Sequence, residues 1–157
     1  MKIALWMIGK TAERYLEEGM SVYEKRLRHY APFEVTVLPD IKQVKNLSIA
    51  QLKEAESVVV LDRLDKRDVL VLLDEKGKTF GSVAFAKWME GQMNQSVQRM
   101  VILIGGAYGF SEDVYRRAQF RISLSEMTFS HQLVRLVFLE QLYRAMTILK
   151  GEPYHHE

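Results

Sequence analysis

Five short stretches of the chain are apolar in the manner of β-strands: "KIALWMI" (2–8), "FEVTVL" (33–38), "VLVLLD" (69–74), "RMVILIG" (99–105) and "FRISLS" (120–125). The third and fourth are unbroken apolar runs, which predicts strands covered on both faces. Between them the apolar spacing lengthens to three and four. In residues 11–30, Ala12, Tyr15, Leu16, Gly19, Met20, Tyr23, Leu27 and Tyr30 form one helical stripe. Ser48 opens a second predicted helix, "SIAQLKEAESVVVLDRL". Gly81 or Ser82 opens a third, "SVAFAKWMEGQM", and Ser111 with Asp113 behind it opens a short fourth. Strand and helix alternate throughout, which predicts an α/β fold with a mainly parallel sheet flanked by helices.

The last helix differs. Ser130 is a good N-cap, with Phe129 before it and Val134 placed as a hydrophobic staple. Its body, "LVRLVFLEQLYRAMTIL", is apolar around most of its circumference, so it has more than one side to cover. Either it is a fully central helix, or one side packs on its own sheet and the other on a partner subunit. Gly151 and Pro153 then stop it. The tail "YHHE" holds two of the four histidines, a reason to weigh a site there against ordinary terminal fraying.

The 157 residues suit one domain. The absence of cysteine excludes disulfides, thiolate catalysis and cysteine metal sites. The histidines lack an i, i+4 pair, so no metal site is expected. No apolar run reaches the length of a membrane span, and the first apolar stretch is too short for a signal-peptide core. A cytoplasmic protein is expected. Net charge is only +2, but Lys10, Arg14, Lys25, Arg26, Arg28, His29, Lys42 and Lys45 lean toward the N-terminal third. They are candidate phosphate contacts, each weighed against a solvated face.

"VILIGGAYGFSED" (101–113) invites a nucleotide reading. Its glycines fall at the first, second and fifth positions of "GGAYGF", which fails the dinucleotide fingerprint, and Gly-Lys-Ser/Thr is absent, which fails the P-loop. The loop also carries no cation for phosphate. Its paired glycines mark either a structural close approach or room for a flat ligand. Asp74 and Glu75 in "LDEKGK" have no P-loop to serve, and no G-x-S-x-G supports a serine hydrolase. Gly105–Gly106, Leu73 and "SLSEMTFSH" would converge at the carboxyl edge of a parallel sheet, where open α/β folds bind ligands. In a helix starting at Ser130, His131 and Arg135 would share a face.

Together, "KIALWMIGK", "YEKRLRHY", "LLDEKGK", "VILIGGAYGF", "SLSEMTFSHQLVR", "EQLYRA" and "PYHHE" resemble the ribosomal RNA large-subunit methyltransferase H family over the whole chain. These are small SPOUT-class enzymes that methylate N3 of a pseudouridine in 23S ribosomal RNA. The resemblance implies a single SPOUT domain over 1–157 with a C-terminal trefoil knot, and a homodimer with the last helix at the interface. It implies bent S-adenosyl-L-methionine bound by Leu73, Gly105, Leu124, Ser125, Glu126, Met127, Thr128 and Phe129. Gly105 and Gly106 would keep the site's floor clear of Cβ atoms. His131 and His155 are the candidate bases, with His155 supplied by a partner subunit; Tyr154 of the same tail is counted with them among the candidate catalytic residues. Glu140 and Arg144 are either a simple helix ion pair or help shape the site across the dimer. The expected substrate is the assembled ribosome. The chain departs from the family pattern in Ser130, where proline is usual, and in His156, which carries less positive charge than the basic residue usual there. Two alternatives remain: a related enzyme acting on transfer RNA, and a non-catalytic ribosome-binding protein.

Overall fold

A computed structural model describes residues 1–42 and 44–156; Glu157, the last residue of the "PYHHE" motif, lies outside them. The chain runs β1 (Lys2–Ile8), α1 (Arg14–Leu27), β2 (Phe33–Leu38), a 3-10 turn (Val44–Asn46) and α2 (Ile49–Leu61). It continues through β3 (Val69–Thr79), α3 (Ser82–Met93), β4 (Arg99–Ile104), α4 (Glu112–Arg117), β5 (Phe120–Ser123) and α5 (Leu133–Leu149). All strand pairs are parallel, in the order β2-β1-β4-β3-β5.

The strands alternate between two cores, as the two-residue period of a strand requires. Ile3, Leu5 and Met7 of β1 and Met100, Ile102 and Ile104 of β4 face the helices α1, α3 and α5. Ala4, Trp6 and Ile8 of β1, with Val101 and Leu103 of β4, face α2 and α4. Burial on both faces explains why these strands read as unbroken apolar runs.

Local chemistry accounts for several boundaries. Ser48 and Gln51 form a reciprocal capping box at the start of α2. Ser111 Oγ accepts the Val114 N–H at the start of α4. The first helix is shorter than its apolar stripe, beginning at Arg14 and leaving Tyr15 63% exposed.

Two boundaries differ from expectation. "LDEKGK" does not end β3 in a turn: the strand runs on to Thr79, and Leu73 and Lys78 both register against Ile122 across an irregularity. Gly77 permits this, because a Cβ there would lie 2.6 Å from the Ile122 backbone. Ser130 caps a preceding turn, its Oγ accepting the Leu133 N–H at 3.0 Å, and the helix proper starts at Leu133. Finally, α5 lies between α1 and α3 within the protomer, so those helices take much of its broad apolar circumference. The side running through Leu133, Val137, Gln141, Arg144 and Ile148 remains only partly covered.

Candidate active site

The carboxyl ends of β4 and β5, with the irregular middle of β3, open into a cavity of about 640 Å³, within the size range of small-molecule sites. Three segments build it: Leu73–Lys76 within β3 at its irregularity, the 104–110 loop after β4, and the 122–131 stretch from β5 to the first turn before α5. Lys53 of α2 and Val134 of α5 complete the lining.

Leu73, Gly105, Leu124, Ser125, Met127, Thr128 and Phe129 all line this cavity, as does His131. Glu126 does not: it is exposed and outside the lining. The 122–131 wall is held by side chains rather than by a ladder. Ser123 Oγ donates to the Ser125 carbonyl at 2.9 Å, and Ser125 Oγ accepts the Met127 N–H at 2.9 Å. Among the described residues, the backbones of Glu126, Thr128 and Phe129 make no hydrogen bond, leaving donors and acceptors for the edge of a ligand.

The paired glycines line the cavity and also serve packing behind it. A Cβ on Gly105 would lie 2.7 Å from the Phe110 ring, and one on Gly106 would lie 3.0 Å from Glu56 Oε1. Phe110 is thereby seated in the core, edge-on to Tyr115 at 5.8 Å between centroids. Two carboxylates were not singled out from the sequence for this site. Asp74 lines the cavity; its Oδ1 accepts the Lys76 N–H, while Oδ2 is buried without a hydrogen-bond partner. Burial and the adjacent Asp74 push the Tyr115 hydroxyl up to about 12. Glu56, behind Gly106, is raised by burial and then by the charge of Asp40.

Arg135 does not join His131 in the cavity. It is fully buried and donates to the carbonyls of Gly9 and Ile8, each at 2.8 Å, and to Thr11 Oγ1 at 3.1 Å. Burial lowers its pKa, partly opposed by the charge of Asp40. Gln132 ties the same loop, accepting the Ala12 N–H at 2.8 Å and donating to the Lys10 carbonyl at 3.3 Å. Together they pin the start of α5 to the loop after β1.

The remaining candidates gather elsewhere. Arg144 donates to Glu140 Oε1 at 2.5 Å and faces His155 Nδ1 at 3.2 Å; Tyr154 donates its hydroxyl to Glu140 at 3.1 Å. Burial, with hydrogen bonding to Tyr23 and Glu140, raises the Tyr154 hydroxyl, and Glu140 raises Arg144. None of these four lines the cavity. From Leu133 to Arg144 a helix rises about 16 Å, so one protomer separates the tail cluster from His131. Of the basic residues, Arg14 and Arg28 pair with Glu18 and Glu24, and Arg26 lies over Tyr23 and Tyr143. Lys42 and Lys45 are exposed.

The cavity fits S-adenosylmethionine by its chemistry. Aliphatic walls at Leu73, Ile104, Ile122 and Val134 suit an adenine face, unpaired backbone groups suit its edge, and the Asp74 carboxylate suits a cationic ligand. Among the described residues no cluster of His, Asp or Glu is arranged for a metal, and no helix is long and apolar enough to cross a membrane.

The protein-family model described as "Predicted SPOUT methyltransferase" matches residues 1–155. A protein of Parabacteroides distasonis is 57% identical over 157 residues, covering the whole of both chains. One of Cytophaga hutchinsonii is 54% identical over 156 residues, covering 99% of this chain and all of the relative. One of Flavobacterium johnsoniae is 53% identical over the whole of both. All three are called ribosomal RNA large subunit methyltransferase H. Full-length identity at this level, joined to a parallel α/β fold with a donor-sized cavity, places the chain in the SPOUT methyltransferases that use S-adenosylmethionine, as a member of the ribosomal RNA large subunit methyltransferase H family.

Proposed function

We propose that this chain methylates N3 of a pseudouridine in 23S ribosomal RNA, in the cytoplasm, as a homodimer acting on the assembled ribosome. All 157 residues serve as one methyltransferase domain. The observation that carries the reading is the cavity at the carboxyl ends of β4 and β5 beside the middle of β3, whose lining includes seven of the eight donor positions implied by the family resemblance. A trefoil knot in the C-terminal part belongs to the same reading and rests on the family resemblance.

S-adenosylmethionine supplies a methyl group on a positively charged sulfur: the N3–C bond forms as the C–S bond breaks, and the N3 proton leaves to a base. The protein's share is alignment and proton removal. Alignment of reacting groups accounts for a large part of such accelerations, whereas a positioned base adds about 10²–10⁴-fold. His131, exposed on the cavity lining, is placed to take that proton directly or through water.

The position of the other groups supports the homodimer reading. Glu140, Arg144, Tyr154 and His155 are already preassembled, yet sit about three helical turns from the cavity. A two-fold axis running two α5 helices antiparallel would carry each tail cluster toward the other protomer's cavity. The partly covered stripe of α5, with Leu133 38% exposed, supplies apolar surface for that contact, and the neighbouring α1 adds Tyr15 and Val22.

Methyl transfer from labelled S-adenosylmethionine to whole ribosomes lacking the modification, with protein-free ribosomal RNA alongside, tests the reading. Label on ribosomes but not on free RNA is expected. Label on transfer RNA alone, or ribosome binding without transfer, would replace it.

A further inference from the structure

The loop "GGAYGF" contains two aromatic residues with opposite fates. Phe110 is turned inward, 6% exposed, seated against Gly105 and edge-on to Tyr115. Tyr108 is turned outward and 55% exposed, yet it lines the cavity. The loop backbone enforces the split. Gly109 adopts φ +80°, which a side chain would resist, and its N–H reaches the Gly106 carbonyl at 3.4 Å to close a tight turn. With Tyr108 on this turn and Phe110 anchored just beyond it, the tyrosine ring has no place in either core.

A second large apolar side chain, Met127, lies on the segment after β5 that forms another wall of the cavity. It is 79% exposed and also part of the lining. A protein gains nothing in stability by presenting a tyrosine and a methionine to water at the rim of a cavity. Such groups are what a flat heterocycle drawn out of an RNA stack meets: enzymes acting on a base hold it between aromatic or apolar side chains. The same lining holds Lys53, half-buried, and Lys76; neither forms an ion pair among the described residues. They offer positive charge to the flanking phosphates, beside the carboxylates of Asp74 and Glu75.

We propose that Tyr108 and Met127 form a clamp at the cavity mouth that holds the pyrimidine ring receiving the methyl group, Tyr108 by stacking on its face and Met127 by packing against it. The inference rests on the methyl-transfer reading and adds the residues that position the acceptor. Both act on the substrate base and neither takes part in proton transfer.

The test measures steady-state transfer to unmodified ribosomes by the full-length wild type, Tyr108→Ala, Tyr108→Phe and Met127→Ser. Titration of S-adenosylmethionine into each protein by calorimetry, and a thermal melt of each, run in parallel. A base gains about five- to 150-fold in affinity by stacking on an aromatic side chain. Tyr108→Ala is therefore expected to raise KM for ribosomes at least about fivefold, with the loss falling on KM rather than kcat. Tyr108→Phe, which keeps the ring, restores KM, and Met127→Ser raises it less. Donor affinity and melting temperature stay at wild-type values in both Tyr108 variants; Met127, which also belongs to the implied donor positions, is read by KM for ribosomes alone. An unchanged KM in Tyr108→Ala overturns the clamp. So does a loss of donor affinity that matches the loss of turnover, because the ring would then serve the methyl donor. Wild-type protein that labels no ribosome overturns the methyl-transfer reading first and the clamp with it.

Discussion

Substitution of Gly105 by alanine tests whether the loop over the cavity is held by packing behind it. The new Cβ would lie 2.7 Å from Phe110 Cε1, 2.9 Å from Cζ and 3.3 Å from Cδ1. Carbon atoms rest at about 3.5–4.0 Å, so the ring must retreat by roughly 1 Å. It has little room, being 6% exposed and packed against Tyr115. Overpacking of a filled core costs about 1–3 kcal/mol. At about 2–4 °C per kcal/mol for a chain of this size, Tm should fall by about 2–12 °C in a calorimetric melt. Part of the strain relaxes by pushing residues 106–110 into the cavity; about 1.4 kcal/mol released that way weakens S-adenosylmethionine binding tenfold. Phe110→Leu deletes the ring atoms in the closest contacts, so the double variant should be more stable than Gly105→Ala alone and bind the donor more tightly. Wild-type Tm and donor affinity in Gly105→Ala, or no recovery in the double variant, would refute the packing role.

Arg135→Met removes two charged hydrogen bonds to buried carbonyls, each worth about 1.5–3 kcal/mol, so urea unfolding should show a loss of about 3 kcal/mol or more. Asp68 is pushed up by burial but brought below its ordinary value overall by hydrogen bonds from Arg99 and the Asp65 backbone. Its folded-state pKa being depressed, its stabilisation is complete above the unfolded value of about 3.9 and fades as pH falls through the folded one. Asp68→Asn should therefore be less stable than wild type at pH 7, with the gap closing below about pH 4; a gap constant down to pH 2 contradicts this. His131→Ala and Arg144→Ala should each lose methyl transfer, and co-refolding the two in equal amounts should recover about a quarter of wild-type activity, because half the dimers then carry one intact composite site. No recovery would place both groups in one protomer's site.

The sheet was legible because β1, β3 and β4 are buried on both faces and therefore read as apolar runs, and α2 because Ser48 and Gln51 complete a local capping box. The expected donor segments at Leu73, Gly105 and 124–129 meet at one sheet edge because parallel strands deliver all their carboxyl ends there. What escaped the sequence depends on contacts distant in the chain. Lys76–Lys78 has the composition of a turn, and only the backbone of β5 against Gly77 draws it into a strand. Arg135 was expected to share a helix face with His131, and nothing local shows that Ile8 and Gly9, more than 120 residues earlier, present carbonyls to it. Glu126 sits in a run otherwise turned toward the cavity, but an irregular segment has no fixed period to separate inward from outward positions. The separation of the tail cluster from the cavity was equally invisible, because spacing along α5 gives a distance only once the cavity is located.

The most direct test of the account is the chemical identity of the product. Ribosomes lacking the modification, incubated with the protein and labelled S-adenosylmethionine, would have their large-subunit RNA digested to nucleosides and analysed by mass spectrometry. The label is expected in a pseudouridine carrying its methyl group on N3. Label in a different nucleoside, or in RNA of the small subunit, would contradict it.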